Sequence, residues 1–182
     1  SIINQTHIPL IWIIIDDGSD DDTKLIIEKA ASSFAWIHGI YLNTRDTYNL
    51  EMHYSYLCQI GFKFAIEKIT ESKIMFDFIA LSDADCEYPP DYFYTIIDYL
   101  NKNSDYGIVS GKMLIKNENN QIYSESLRTF GNEMPLGTGR LWRRKAFEDS
   151  NGYWYKKEYD KDNLEIKYEG SDGKRKIKLV VE

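Results

Sequence analysis

The sequence predicts an α/β fold, in which helices cover both faces of a mostly parallel β-sheet. The first observation is that residues 10–15 form a continuous, β-branched apolar run, which is typical of a strand buried on both faces. The second is that segments with helical spacing alternate with strand-like runs, as they do in βαβ units. The third is that a chain of 182 residues, of which 43% are hydrophobic, can bury the core of one domain.

The predicted elements follow one another without a repeat or a low-complexity linker. The predicted strands are residues 10–15, 36–42, 76–81 and 106–115. The predicted helices are residues 21–34, 50–69 and 89–100. Pro89 and Pro90 suit the start of the third helix, because proline in the first turn gives up an N–H that has no helical partner. From residue 116 onward the pattern is looser, which is typical of irregular segments that face a substrate.

Apolar residues at helical spacing predict the buried faces of the first two helices. In the first helix these residues are Ile26, Ile27, Ala30, Ala31 and Phe34. In the second helix they are Leu57, Ile60, Phe64 and Ala65. We therefore expect these two faces to pack against the sheet.

The composition excludes several classes of function. With 22 Lys and Arg against 29 Asp and Glu, the net charge of −7 argues against binding to nucleic acids or anionic membranes, because both require a basic surface. Cys58 and Cys86 are too few for a disulfide scaffold. The longest apolar run is far shorter than the roughly 20 residues that span a bilayer. We expect residues 1–182 to be one cytoplasmic domain and, since the chain begins at Ser1 and ends in a strand-like run, a piece of a longer protein.

Two acidic pairs follow two of the predicted strands. Asp16 and Asp17 come directly after the first strand, and Asp83 and Asp85 come after the third. Ligands of open α/β sheets bind beyond the carboxyl ends of the strands, so we expect all four carboxylates at one edge of the sheet. Taken alone, either pair fits a surface turn or a helix cap. However, a cap contributes only about 1 kcal/mol, whereas an uncompensated buried charge costs several kcal/mol. Together, the pairs predict a bound cation or hydrogen-bond donors.

The chemistry of these acids indicates which cation they would bind. Carboxylates without His or Cys favour a hard ion, Mg²⁺ or Mn²⁺, which keeps several water ligands and binds phosphate. An EF-hand is excluded, because Ile13 would occupy the first ligand position if Gly18 were the loop glycine. The sequence therefore predicts a divalent cation that bridges carboxylates and a diphosphate.

Two motifs resemble those of the family 2 glycosyltransferases, which have the GT-A fold. They are IIIDDGS at residues 13–19 with Thr23, and LSDAD at residues 81–85 with PPDYF at residues 89–93. The resemblance extends to about residue 155. It implies a three-layer α/β/α sandwich and an inverting transfer of a sugar from a nucleotide-diphospho-sugar to an acceptor hydroxyl. It also implies a saccharide or lipid-linked acceptor in cell-surface polysaccharide biosynthesis, and membrane association through flanking segments.

The same resemblance implies roles for the four acids. Asp16 and Asp17 would contact the base and the ribose of the donor. Asp83 and Asp85 would form the metal-binding Asp-x-Asp motif. Asp85 is expected to be the direct ligand of Mn²⁺ or Mg²⁺, while Asp83 is expected to contact both the metal and the donor.

The general base that takes the proton from the acceptor hydroxyl is expected shortly after Gly152, as in relatives. We predict Asp160 for this role, with Glu158 and Asp162 as alternatives. Each of these acids otherwise belongs to a solvated loop. Residues 116–182 are then the acceptor-side segment of the domain.

One dense basic cluster lies in this acidic chain, at residues 137–145. Arg140 is predicted to steady the leaving diphosphate, because a guanidinium presents a fork suited to phosphate oxygens. The alternative for Arg140 and Arg143 is a solvated helix start. His53 heads the second helix and either contacts a phosphate or is a structural histidine. Trp142 either stacks on an acceptor sugar or packs in the core.

The chain departs from the family pattern at two places, and other interpretations compete with it. The first strand of the family would precede Ser1, and Asn151-Gly152 replaces a common Gly-Gly pair. The chain is alternatively a non-catalytic nucleotide-sugar-binding module or an inactive fragment. A phosphatase of the Asp-x-Asp type is disfavoured, because Cys86 and Glu87 follow the motif in place of a small pair such as Gly-Thr.

Overall fold

A computed structural model describes residues 1–43, 50–111, 114–116, 122–124, 137–150, 166–167 and 178–179. The described strands are β1 (Trp12–Asp17), β2 (Ile37–Leu42), β3 (Phe78–Leu81), β4 (Ile108–Ser110), β5 (Leu114–Lys116), β6 (Ile122–Ser124), β7 (Arg140–Arg143), β8 (Ile166–Lys167) and β9 (Lys178–Leu179). The described helices are α1 (Thr23–Ser33), α2 (Leu50–Glu71), α3 (Tyr92–Lys102) and α4 (Arg144–Asp149). The chain divides into two compact units, residues 1–8 with 77–146 and residues 9–76 with 147–182.

The unit that contains residues 9–76 is built around a parallel strand pair. β1 and β2 pair in parallel from Trp12 opposite Ile37 to Asp17 opposite Leu42, with α1 as the connection between them. Helix α1 packs on β2, and α2 packs on β1. This βαβ arrangement confirms the predicted α/β class. Among the described residues of the unit, the buried apolar ones are Ile27, Ile37, Cys58, Phe62, Ile69 and Phe147.

The first strand lies two residues later than the sequence predicts. Leu10 is 54% exposed, and pairing begins at Trp12, so the pair with β2 leaves the start of the apolar run outside. As a result, Asp16 and Asp17 are the last two residues of the strand and not the first two of a turn. Both acids therefore have backbones that β2 holds in place.

The buried faces of the two helices also differ from the prediction in part. In α1, Ile27 is buried at 5% exposure while its neighbour Ile26 is 67% exposed, because one narrow stripe of this helix packs on β2. In the part of α2 whose side chains are described, residues 53–71, the buried residues are Cys58, Phe62 and Ile69. The four predicted core positions flank this stripe and are half-buried; they are Leu57, Ile60, Phe64 and Ala65.

The unit that contains residues 77–146 has a different sheet. Its strand order is β3-β7-β4, and β7 pairs antiparallel with both neighbours. β3 and β4 therefore run parallel to each other with β7 between them. Helix α3 packs on β4 and β7 and buries Phe93, Ile96 and Leu100. The described sheets thus include one small parallel pair and an antiparallel trio, and the three-layer sandwich stays a prediction.

The strand predicted over residues 106–115 is two strands in different sheets. β4 pairs with β7, whereas β5 pairs with β6. The interruption has a local cause at Gly111, whose N–H donates to the Tyr92 hydroxyl at 2.8 Å and not to a neighbouring strand.

Residues 1–8 form hydrogen bonds with the start of α3. After a 3₁₀ turn at Ile2–Asn4, Gln5 is buried at 4% exposure. Its Nε2 donates to the carbonyl of Pro89 at 2.7 Å, and its Oε1 accepts the N–H of Phe93 at 3.2 Å. Because the first N–H groups of a helix have no partner inside the helix, Gln5 caps α3 from a distant part of the chain. No helix among the described residues is long and apolar enough to cross a membrane.

Candidate functional site

The first acidic pair ends β1 in a tight turn. Asp16 is buried at 6% exposure, and its Oδ1 accepts the backbone N–H of Ser19 at 3.0 Å. Gly18 has a φ of +71°, and a Cβ there would lie 2.9 Å from Asn43 Oδ1. A residue with a side chain would be strained in this conformation. The turn thus holds one oxygen of Asp16 in place and keeps the chain close to Asn43.

His53 contacts the second acid of this pair. Its Nε2 lies 2.5 Å from Asp17 Oδ2, and the two side chains are 15% and 10% exposed. Its Nδ1 is buried and has no hydrogen-bond partner among the described residues. The sequence alternatives for His53 were a phosphate contact and a structural role. The structure places the imidazole on the carboxylate of Asp17, and a contact with phosphate stays a prediction.

The second acidic pair follows β3 in the other unit. The backbone N–H of Asp83 donates to Thr138 Oγ1 at 2.9 Å, and the N–H of Cys86 donates to the Asp83 carbonyl at 3.4 Å. The side chain of Asp83 is half-buried, whereas Asp85 is exposed. Cys86 Sγ lies 3.7 Å from Asp85 Oδ1. The Asp83–Asp85 turn is therefore fixed through its backbone and presents Asp85 to solvent.

Arg140 lies beside this turn because of the register of β7. It is paired with Leu81, the last residue of β3, which lies two residues before Asp83. Its Nε donates to the carbonyl of Gly137 at 2.8 Å, and its Cζ lies 5.3 Å from the ring centroid of Trp142. These two contacts hold the guanidinium in place. Among the described contacts, it has no acidic partner. The structure brings Arg140 and the Asp83 turn to the same end of the sheet.

Arg143 does not face solvent at a helix start, which was the alternative for this residue. Its Nε donates to the carbonyl of Tyr106 at 2.9 Å, and its Nη2 donates to the carbonyls of Leu100 and Asn103. Those last two carbonyls belong to the end of α3, where cations are favoured by unpaired C=O groups and the helix dipole. Arg143 is therefore structural. Trp142 next to it is buried at 8% exposure, so core packing is confirmed for this ring.

Several polar residues that sequence reasoning did not single out surround the Asp83–Asp85 turn. The Tyr88 hydroxyl lies 2.8 Å from Ser82 Oγ and 3.3 Å from Thr138 Oγ1. The Tyr92 hydroxyl accepts from Gly111 N–H and donates to the Gly139 carbonyl at 2.5 Å. Burial raises the pKa of both tyrosines, so their hydroxyls keep their protons. Ser82 and Tyr92 lie within the motifs at residues 81–85 and 89–93, and Thr138 lies within the basic cluster at residues 137–145, but no sequence pattern indicates the contacts between them.

Some predicted residues lie outside the part of the chain that the structure describes. They are Glu158, Asp160 and Asp162. The two acidic pairs belong to different units, so their common position at one sheet edge stays a prediction.

The donor chemistry of the Asp83–Asp85 turn fits a hard divalent cation. Among the described residues, no group of three or more His, Cys, Asp or Glu is arranged to hold a metal ion. Two carboxylates, one of them exposed, suit Mg²⁺ or Mn²⁺, because these ions keep several waters and take substrate phosphates as ligands. A buried cage of four protein ligands would instead indicate a structural metal.

Comparison with known proteins assigns the family. No curated protein matches the chain. The model of the family described as glycosyl transferase family 2 matches residues 1–164, which include both acidic pairs, α1 to α4 and the predicted base. This match, over most of the 182 residues, shows that the chain belongs to glycosyl transferase family 2.

Proposed function

We propose that this protein is an inverting, metal-assisted glycosyltransferase. Membership of family 2 implies sugar transfer from a nucleotide-sugar donor to an acceptor. The proposal adds the roles of individual residues. The observation that carries it is the turn at the end of β3, where the exposed carboxylate of Asp85 and the guanidinium of Arg140 occur at the same end of one sheet.

In this proposal, Asp16 and Asp17 bind the nucleoside part of the donor. Asp16 has one oxygen fixed by the N–H of Ser19. Asp17 has one oxygen fixed by His53 Nε2, which prevents the carboxylate from rotating. Carboxylates that are held in one orientation lose little freedom when they accept hydrogen bonds from ribose hydroxyls or from a base N–H. His53 thus serves the donor site through Asp17.

Asp83 and Asp85 hold Mn²⁺ or Mg²⁺ together with the diphosphate of the donor. When bound, the ion supplies Lewis-acid stabilisation of the charge that develops on the leaving diphosphate. Arg140 contributes a fixed positive charge, because its contacts with Gly137 and Trp142 already orient the guanidinium. Preorganised charges of this kind stabilise a transition state without reorganising during the reaction.

Asp160 is proposed as the general base. It takes the proton of the acceptor hydroxyl while that oxygen forms a bond with the anomeric carbon. The bond between the anomeric carbon and the diphosphate oxygen breaks, and the diphosphate leaves with the electron pair. We place the acceptor side in residues 116–182. We further propose a saccharide or lipid-linked acceptor in cell-surface polysaccharide biosynthesis, and action in the cytoplasm with membrane association through flanking segments.

Substitution of Asp85 tests the proposal most simply. Asp85→Asn keeps the shape and removes the charge, so we expect sugar transfer to fall by at least about 100-fold, as for other preorganised charge stabilisers. Asp105→Asn, at an exposed turn after α3, is the matched control and is expected to leave transfer unchanged. Unchanged transfer in Asp85→Asn overturns the metal role. Nucleotide binding without any transfer by the wild-type full-length chain supports the non-catalytic module instead.

A further inference from the structure

Three hydroxyl groups form a closed ring of contacts with the backbone of Asp83. The N–H of Asp83 donates to Thr138 Oγ1 at 2.9 Å. Thr138 Oγ1 lies 3.3 Å from Tyr88 Oη, which lies 2.8 Å from Ser82 Oγ. The Ser82 hydroxyl donates to the carbonyl of Asp83 at 3.0 Å. The chain of hydroxyls therefore starts at the N–H of Asp83 and returns to its C=O.

One direction of proton donation satisfies every contact in this hydroxyl ring. The proton of Ser82 goes to the Asp83 carbonyl, so Ser82 Oγ accepts from the Tyr88 hydroxyl. Tyr88 Oη then accepts from Thr138, whose oxygen in turn accepts the Asp83 N–H. Each hydroxyl both donates and accepts. Hydrogen bonds that are arranged head to tail in this way polarise and strengthen one another.

A second contact holds Thr138 itself in position. The Tyr92 hydroxyl accepts the N–H of Gly111 at 2.8 Å and donates to the carbonyl of Gly139 at 2.5 Å. Gly139 has a φ of +63°, and a Cβ there would lie 2.8 Å from Tyr92 Oη. The turn that carries Thr138 is thus fixed independently of the Asp83–Asp85 turn. A fixed hydroxyl can hold a neighbouring backbone in place.

We propose that Thr138 is a positioning residue for divalent-cation binding, which it supports by fixing the backbone of Asp83 through the hydroxyl ring. This inference rests on the metal role proposed above for Asp83 and Asp85. Thr138 acts through Asp83 and contacts neither the cation nor the donor. Outer partners that orient metal ligands typically contribute about 10–100-fold in metal affinity.

Direct measurement of Mn²⁺ binding tests this role without relying on activity. The full-length chain is titrated with Mn²⁺ in the presence of UDP or GDP, and free Mn²⁺ is followed by its electron paramagnetic resonance signal. Thr138→Val keeps the shape and removes the hydroxyl, so we expect Mn²⁺ affinity to fall by about 10–100-fold. Thr138→Ser restores the hydroxyl and is expected to restore the affinity. Thr95→Val, at an exposed position of α3, is the matched control.

The outcomes separate this inference from the proposed function. Equal Mn²⁺ affinities of folded Thr138→Val and Thr138→Ser overturn the positioning role and leave the role of Asp85 intact. Failure of the wild type to bind Mn²⁺ with either nucleotide overturns the metal role and this inference with it. If Thr138→Val does not fold, Tyr88→Phe opens the same ring. Weakened Mn²⁺ binding in that variant supports the inference, and wild-type binding overturns it.

Discussion

His53 Nε2 lies 2.5 Å from Asp17 Oδ2, and this contact joins the first turn of α2 to the last residue of β1. Both side chains are largely buried, at 15% and 10% exposure. The imidazole therefore holds an acid whose partner in sequence, Asp16, is also held, by Ser19. One pair of neighbouring carboxylates is thus fixed by two different parts of the fold.

Removal of His53 is expected to weaken nucleotide binding. A hydrogen bond to a charged group contributes about 1.5–3 kcal/mol, and about 1.4 kcal/mol corresponds to a tenfold change in affinity. For His53→Ala we expect the dissociation constant of the bound nucleoside diphosphate to rise at least about 10-fold. Calorimetric titration checks this, with His7→Ala at an exposed position as the control. An unchanged dissociation constant in His53→Ala would show that Asp17 does not depend on the imidazole.

Substitution of Gly18 is expected to destabilise the turn after β1. Gly18→Ala places a Cβ at a φ of +71° and 2.9 Å from Asn43 Oδ1. Backbone strain of this kind costs about 1–3 kcal/mol in the free energy of unfolding. Urea denaturation measures the change, and the same substitution in an Asn43→Ala background separates strain from the contact. If Gly18→Ala is as stable as the wild type, the described turn is wrong.

Gln5 provides a test of the attachment of residues 1–8 to α3. Gln5→Leu keeps the size of the side chain but leaves the buried N–H of Phe93 without its acceptor. It also removes one of two donors to the Pro89 carbonyl, which still accepts the N–H of Tyr92. A buried polar group left unpaired costs about 1–3 kcal/mol, so we expect a loss of about 1–3 kcal/mol in the free energy of unfolding. Asn4→Leu, at an exposed neighbour, is the control for urea denaturation. Equal losses in both variants would exclude a capping role for Gln5.

Because of Tyr92, the free energy of unfolding is expected to depend on pH in the alkaline range. Burial raises its pKa above the ordinary value of 10.0; the hydrogen bond from the Gly111 N–H lowers it in part, and charges on Tyr88 and Cys86 raise it. The folded state therefore holds the phenol proton more tightly than the unfolded state. The resulting contribution to the free energy of unfolding is complete below pH 10 and is lost as the pH rises through the pKa of Tyr92 in the folded state.

The variant Tyr92→Phe removes this titration. We expect its free energy of unfolding to be about 1–2 kcal/mol lower than that of the wild type at pH 8, because two hydrogen bonds are lost. Above pH 10, we expect its free energy of unfolding to fall less steeply with pH than that of the wild type. Denaturant unfolding at several pH values checks both effects. Tyr94→Phe, which is 58% exposed, is the control. A slope in Tyr92→Phe equal to that of the wild type counts against the buried phenol.

The sequence predicted those parts of the fold whose signals are local. The apolar run before Asp16 and the helical spacing after it are continuous in the chain, and they produced β1, α1 and β2 with errors of one or two residues at their ends. The acidic pairs after two strands were visible for the same reason, and the family match over residues 1–164 confirms the family they indicated.

Contacts between distant residues left no such signal. Asp83 and Thr138 are 55 residues apart, and Gln5 and Pro89 are 84 apart, so neither partner marks the other in the sequence. The insertion of β7 between β3 and β4 likewise depends on a pairing of strands that periodicity does not record. In the sequence, Arg143 is one of several neighbouring basic residues. Only the pairing of β7 places it at the end of α3.

Calorimetric titration of UDP and GDP tests the metal-assisted mechanism most directly. The full-length wild type and Asp85→Asn are each titrated with Mn²⁺ present and with the metal chelated. We predict that one nucleotide binds the wild type tightly only with Mn²⁺, and that Asp85→Asn binds it equally weakly with and without the metal. Nucleotide binding by the wild type that is the same with and without Mn²⁺ would contradict the proposed role of Asp83 and Asp85.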